Sequence, residues 1–79
     1  MVGSQFEYVE DDDILIITLQ EGTVARTIRK EPCILIDVDD HGIALSIEVV
    51  GFKKVATNPQ PLLEILRQYV VMVPQPSAA

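Results

Sequence analysis

The stretch DVDDHGIALSIE, residues 37–48, holds the residues whose spacing carries the most chemistry. Asp37, Asp39 and His41 alternate, Gly42 follows, and Glu48 closes the window. Oxygen ligands at alternate positions, a glycine at the sixth and a terminal glutamate are what an EF-hand loop uses to wrap calcium. The flanks oppose that chemistry. An EF-hand needs a helix on each side, but Pro32 and a β-branched run precede this stretch, and a β-rich run broken by Gly51 follows it. The fifth position is His41, a nitrogen donor where a hard cation takes oxygen. A hairpin gives each residue a plain role: Asp39 opens the turn, Asp40 and His41 form its corner, and Gly42 takes the positive φ. Ile43, Leu45, Ile47 and Val49 then line one face of the return strand, opposed to Ala44, Ser46, Glu48 and Val50. The expectation is a turn and no metal site.

The other reactive residues lack partners at useful spacing. Glu10, Asp11, Asp12 and Asp13 form an acidic run that offers a divalent ion little more than a solvated turn. In a five-stranded up-and-down sheet this turn shares an end with Arg29 and Lys30, so loose charge compensation is expected there. Cys33 is the one cysteine; at the start of a β-branched run it reads as a buried structural thiol, and no internal disulfide can form. His41, the one histidine, sits on a turn tip, and a pairing with Cys33 finds no third group. Ser4, Ser46 and Ser77 have no nucleophile-elbow context, and no glycine-rich phosphate loop occurs. No catalytic residue, cofactor site or metal ligand is expected, and the chain is not expected to be an enzyme.

The elements that would position these residues are short. Phe6 and Tyr8 share one face of a strand over residues 5–9, and a charged turn follows. The run ILIITL, residues 14–19, is nearly all apolar and reads as a strand buried on both faces. A turn centred on Gly22 leads to a weaker, exposed strand over residues 24–30, and CILIDV, residues 33–38, makes a fourth. Short strands joined by short turns imply an antiparallel meander of four or five strands. From Asn58 the period becomes helical. Asn58 suits a cap, Pro59 and Pro61 suit a first turn, and Leu62, Leu63, Ile65, Leu66, Tyr69, Val70 and Val73 form an apolar stripe. The fold class is therefore α+β, one domain over residues 1–73 with a single C-terminal helix on the sheet. Residues 74–79, PQPSAA, have the composition of a disordered end.

Composition bounds behaviour more firmly than chemistry. The chain has 79 residues, and a domain of this size buries only about 60% of its unfolded surface. Yet 48% of the residues are hydrophobic and the mean hydropathy is +0.27. Apolar surface is left over, and since one helix covers only one sheet face, the other calls for a partner, most simply a second copy on a two-fold axis. A net charge of −6 and a pI near 4.4 repel nucleic acid. The apolar runs are too short to span a bilayer. An opening that turns acidic at once contains no secretory signal, and a single free thiol suits a reducing cytoplasm.

In order and spacing these pieces resemble a small prokaryotic family, domain-of-unknown-function family twenty-two eighty-three. Its opening tyrosine, acidic turn and apolar strand are matched by Tyr8, residues 10–13, and Leu15, Ile17 and Leu19. Its Gly-x-Val-Ala-x-Thr segment is matched by Gly22, Val24, Ala25 and Thr27, and its Asp-x-Asp-x-x-Gly turn by Asp37, Asp39 and Gly42. Ile47 and Glu48 stand in its Gly-Ile-Glu strand. The resemblance runs from Tyr8 to Val50, with Val9, Ile16 and Ser46 departing from the usual aspartate, aromatic and glycine. It implies the fold and gives no activity; some relatives look antitoxin-like from their genomic company.

The expected function is a non-catalytic, self-associating protein–protein interaction module. Two alternatives stand beside it: an antitoxin-like partner of a basic toxin, and a weak small-ligand or divalent-metal binder using the acidic turns. The helix stripe is either a core face or a docking face, so Leu62, Leu66, Tyr69, Val70 and Val73 form a candidate interface.

Overall fold

The structure, a computed structural model, describes residues 5–31 and 33–69. Five strands, β1 (Gln5–Val9), β2 (Ile14–Thr18), β3 (Arg26–Lys30), β4 (Ile34–Val38) and β5 (Ala44–Val50), precede two helices, α1 (Phe52–Thr57) and α2 (Gln60–Tyr69). All strand pairs are antiparallel, as the short connections require, and the class is α+β. The strand order is β1-β2-β5-β4-β3, so β5 inserts between β2 and β4. Hydrophobicity accounts for this. RTIRK of β3 is too polar for the middle of a sheet, whereas ALSIEVV of β5 is apolar enough to be flanked on both sides. The expected turn at Gly22 is instead a segment, 19–25, that runs along one end of the sheet from β2 to the far edge. It is held by the Leu19 and Gln20 amides donating to the Leu45 carbonyl at 2.8 and 3.3 Å, and by Ala25 donating to Val38 at 2.8 Å.

Cross-strand register builds the core as rows. Phe6, Ile17, Ile47, Ile36 and Ile28 lie side by side across the five strands on one face. Tyr8, Leu15, Val49, Ile34 and Lys30 form the adjacent row. Ile17, Ile34, Ile36, Val38, Ala44, Ile47 and Val49 are buried there beneath Val55, Leu62 and Ile65 of the helices, with Leu66, Tyr69 and Phe52 packed at the margin. The α2 stripe is thus a core face within the chain. Val70 and Val73, and the expected disordered end, lie outside the described residues.

Two expectations are corrected here. The first concerns the C-terminal part, where two helices stand in place of one. Asn58 terminates α1, its N–H bonded to the Val55 carbonyl, and does not cap α2; the Pro59 carbonyl accepts the first α2 bond, from Leu63, at 2.9 Å. The second concerns β5. It begins at Ala44, and a register shift opposite Asp37 and Val38 inserts Leu45 as an extra residue. The shift turns Ala44 into the core and leaves Ile43 49% exposed on the turn, so strict alternation from Ile43 does not hold.

The opposite sheet face carries other rows: Glu7, Ile16, Glu48, Leu35 and Arg29; Gln5, Thr18, Ser46, Asp37 and Thr27; and Val9, Ile14 and Val50. Among the described residues, the buried side chains of both helices join the first face alone. Ile14, Ile16 and Leu35 remain half-buried and Val50 is exposed. This is the surplus apolar surface that the composition implies.

Candidate functional site

The turn of residues 39–43 is built by one carboxylate. Asp39 Oδ1 accepts the His41 and Ile43 amides at 2.8 and 2.9 Å, while the Asp39 amide donates to the Ile43 carbonyl at 3.0 Å. Gly42, at φ +80°, closes the corner, and its amide donates to the Asp39 carbonyl. The Ile43 amide, then the His41 amide, hold the Asp39 carboxyl below its ordinary value despite some desolvation. A depressed folded value means the turn is stabilised above the unfolded carboxylate pKa and loosens as pH falls through the lowered one.

Ligand atoms of Asp39, Asp40 and His41 lie within 4.8 Å of one another at this tip. The Asp39 oxygen is already bound to two amides. His41 Nδ1 pairs with Asp40 Oδ1 at 3.0 Å with both side chains about four-fifths exposed, and such a surface pair contributes about 0–1 kcal/mol. Asp37 is used elsewhere, accepting from Thr27 Oγ1 at 2.6 Å and Ser46 Oγ at 3.1 Å on the open sheet face. Glu48 lies in the next row of that face, across from Leu35 and Ile16. The calcium-like spacing therefore scatters its carboxylates over a hairpin. Calorimetric titration is expected to show no calcium binding tighter than about 1 mM, the weakest range of natural oxygen cages.

The acidic turn before β2 has a structural use that its charges conceal. Asp13, at φ 55°, turns its carbonyl to the Gly51 and Phe52 amides at 2.9 and 3.0 Å. Both oxygens of its carboxylate accept the Lys53 amide, at 3.1 and 3.2 Å. α1 starts behind Gly51, which is left-handed at φ 71° and has no side chain to cap with. Asp13 supplies that cap from another part of the chain. The Tyr8 hydroxyl donates to Asp13 Oδ1 at 2.5 Å, and its ring meets Phe52 edge-on with centroids 5.9 Å apart. That hydrogen bond first, then desolvation and the charges of Asp13 and Glu10, push the Tyr8 phenol up to about 12. A raised folded value means the contact is fully present below the unfolded value of 10.0 and is lost as pH rises through about 12.

Asp13→Ala is expected to cost about 0.5–2 kcal/mol for the lost cap, with further strain from alanine at a positive φ. Asp13→Asn keeps an acceptor and tolerates the left-handed region, so it should retain most of that stability. Thermal melts compare the two, and the Tyr8 ring resonances should titrate closer to pH 10 in the alanine variant. The expected compensation of this turn by Arg29 and Lys30 does not occur among the described residues. They share one end of the sheet, but the turn joins β1 to β2 while Arg29 and Lys30 lie on β3 at the far edge, three strand spacings or about 14 Å from β2.

Cys33 corrects another expectation. It is exposed, because β4 begins at Ile34 and Cys33 stands in the preceding turn with its carbonyl accepting the Val50 amide at 2.9 Å. It borders an open groove of about 690 Å³ lined by Glu31, Val50, Lys54, Val55 and Pro61. His41 lies on a different loop, at the other end of β4, so the two do not form a dyad. Of the candidate interface, Leu62 is buried and Leu66 and Tyr69 are half-buried against the core; on the outer side of α2, Leu63 is 48% exposed. The open sheet face carries no motif in the sequence because its residues are far apart along the chain and become neighbours only through the strand order.

No curated protein and no solved structure matches the chain. A family model described as protein of unknown function (DUF2283) matches residues 5–53, more than half of the chain. The match takes in all five strands, the Asp39 turn and the contact between Asp13 and the start of α1. The chain thus belongs to this family.

Proposed function

We propose that the protein is a non-catalytic interaction module that self-associates through its open sheet face. The observation that carries this reading is the strip of Ile14, Ile16, Leu35 and Val50, which no helix covers among the described residues, opposite the face that both helices close. Half-buried aliphatic side chains gain about 25 cal/mol per Å² when a partner removes them from water. The absence of catalysis is supported by where the carboxylates go. Asp13 holds α1, Asp39 holds a turn, and Asp37 holds two hydroxyls. A reducing cytoplasm suits the exposed free thiol of Cys33. Among the described residues no helix is long and apolar enough to cross a membrane.

A second reading, an antitoxin-like partner of a basic protein, is favoured by the net charge of −6 and by exposed Leu63 on α2. It needs less of α2 than the sequence suggests, since Leu62 is committed to the core. Sedimentation velocity from about 10 to 500 µM separates the two, a range that brackets the weak end of specific association. Self-association predicts a sedimentation coefficient that rises with concentration from the 8.8-kDa monomer. A single monomeric boundary throughout would overturn it and leave the hetero-partner reading.

A further inference from the structure

We propose that the occupant of the open face is a second copy of this chain, related by a two-fold axis that runs along β5. This rests on the self-association reading and specifies its geometry. The strand order is balanced about β5, with β2 and β4 inside and β1 and β3 at the edges. The central row of the open face reads Glu7, Ile16, Glu48, Leu35 and Arg29 from one edge to the other. Rotation about an axis parallel to β5 reverses that row over itself. Glu7 then faces Arg29 of the partner, Ile16 faces the partner's Leu35, and Glu48 faces its own copy. The result is two attractive rim pairs, two apolar contacts and one like-charge contact.

The other in-plane axis, across the strands, sets each residue of the row on its own copy. Glu7, Glu48 and Arg29 would each meet a like charge, with no attraction in return. Charge complementarity therefore selects the axis along β5. Aligned sheets cross at about 30°, which leaves contacts near the axis in place and moves the rim by a few ångströms, within reach of arginine and glutamate side chains. The polar row is compatible with the same arrangement. It sets Gln5 over Thr27 of the partner, and Asp37 is already satisfied by Thr27 and Ser46 of its own protomer.

The size of the face sets the strength. Five strands about 4.8 Å apart and five residues of about 3.3 Å give a footprint of roughly 400 Å². Two such footprints bury about 800 Å², below the roughly 1,200–2,000 Å² of stable complexes, so the dimer is weak and reversible.

A charge-reversal cycle read by sedimentation equilibrium at low salt tests this. Arg29→Glu turns two attractive contacts per dimer into repulsive ones and should weaken dimerisation about tenfold or more. Combining it with Glu7→Arg should bring the dissociation constant back to within a few-fold of the wild type. Glu48→Gln removes the like-charge contact at the axis and should tighten the dimer several-fold. Dimerisation indifferent to the charge-reversal cycle overturns this geometry while leaving self-association standing. A wild type that stays monomeric at 500 µM overturns both.

Discussion

A chain truncated after Thr57 is expected to be unfolded or insoluble. The truncation removes α2, and with it Leu62 and Ile65, which are 6% and 7% exposed in the core, and the packing of Leu66 and Tyr69 at its margin. Burying one such aliphatic side chain is worth about 1.5–3 kcal/mol, so the two buried residues alone contribute roughly 3–6 kcal/mol. A domain of this length has a total stability of about 4–10 kcal/mol. The loss also uncovers part of the row around Ile36 and Ile47, leaving α1 with Val55 as the remaining helical cover on that face. Circular dichroism and gel filtration of the truncated chain check this. A soluble domain that still melts cooperatively would mean that α2 is a docking element and that its apolar face belongs to a partner.

The largest single-residue effect is expected at Ile47. It is fully buried on the central strand, flanked by Ile17 and Ile36, at the middle of a row that spans the sheet. Ile47→Ala removes contacts on both sides and leaves a cavity, at a cost of about 2–5 kcal/mol. For a domain of this size that lowers the melting temperature by roughly 10–30 °C. Ile47→Val should cost only about 0.5–1.5 kcal/mol. Ile43→Ala, four residues away on the exposed turn, should stay within about 0.5 kcal/mol of the wild type. Equal losses at Ile43 and Ile47 would mean that the return strand alternates without the inserted Leu45.

What the sequence made legible follows from how local each determinant is. The 39–43 turn was readable because Asp39 and Gly42 sit in it and do all the work themselves. The α2 stripe was readable from its period, and Leu62 and Ile65 are where that period puts the core. α1 was not readable because its N-terminus is held by Asp13, which is nearly forty residues from Phe52 and looks like one more charge in an acidic turn. Asn58 ends α1 where its type and its place before Pro59 suggest the start of α2, because asparagine suits either end of a helix. The buried reading of Cys33 failed by one residue, the difference between a strand and the turn before it.

The candidate surface was half legible. Surplus apolar residues in so short a chain imply a face that one helical layer leaves over, and Ile14, Ile16 and Leu35 are on the face that the described helices do not cover. The charge pattern along that face was hidden, because Glu7, Glu48 and Arg29 become one row only when β5 inserts between β2 and β4. A strictly sequential sheet would have set Ile16 beside β3 and broken the pattern.

The identity of the interacting surface is tested most directly by methyl NMR with a soluble paramagnetic agent, at two protein concentrations that bracket self-association. If the open face is the interface, relaxation enhancement at the Ile14, Ile16, Leu35 and Val50 methyls should fall as concentration rises. Val24, Ile43 and Leu63, exposed elsewhere, should stay unchanged. Protection of Leu63 with no change at Ile16 and Leu35 would contradict the proposal and move the interface to α2.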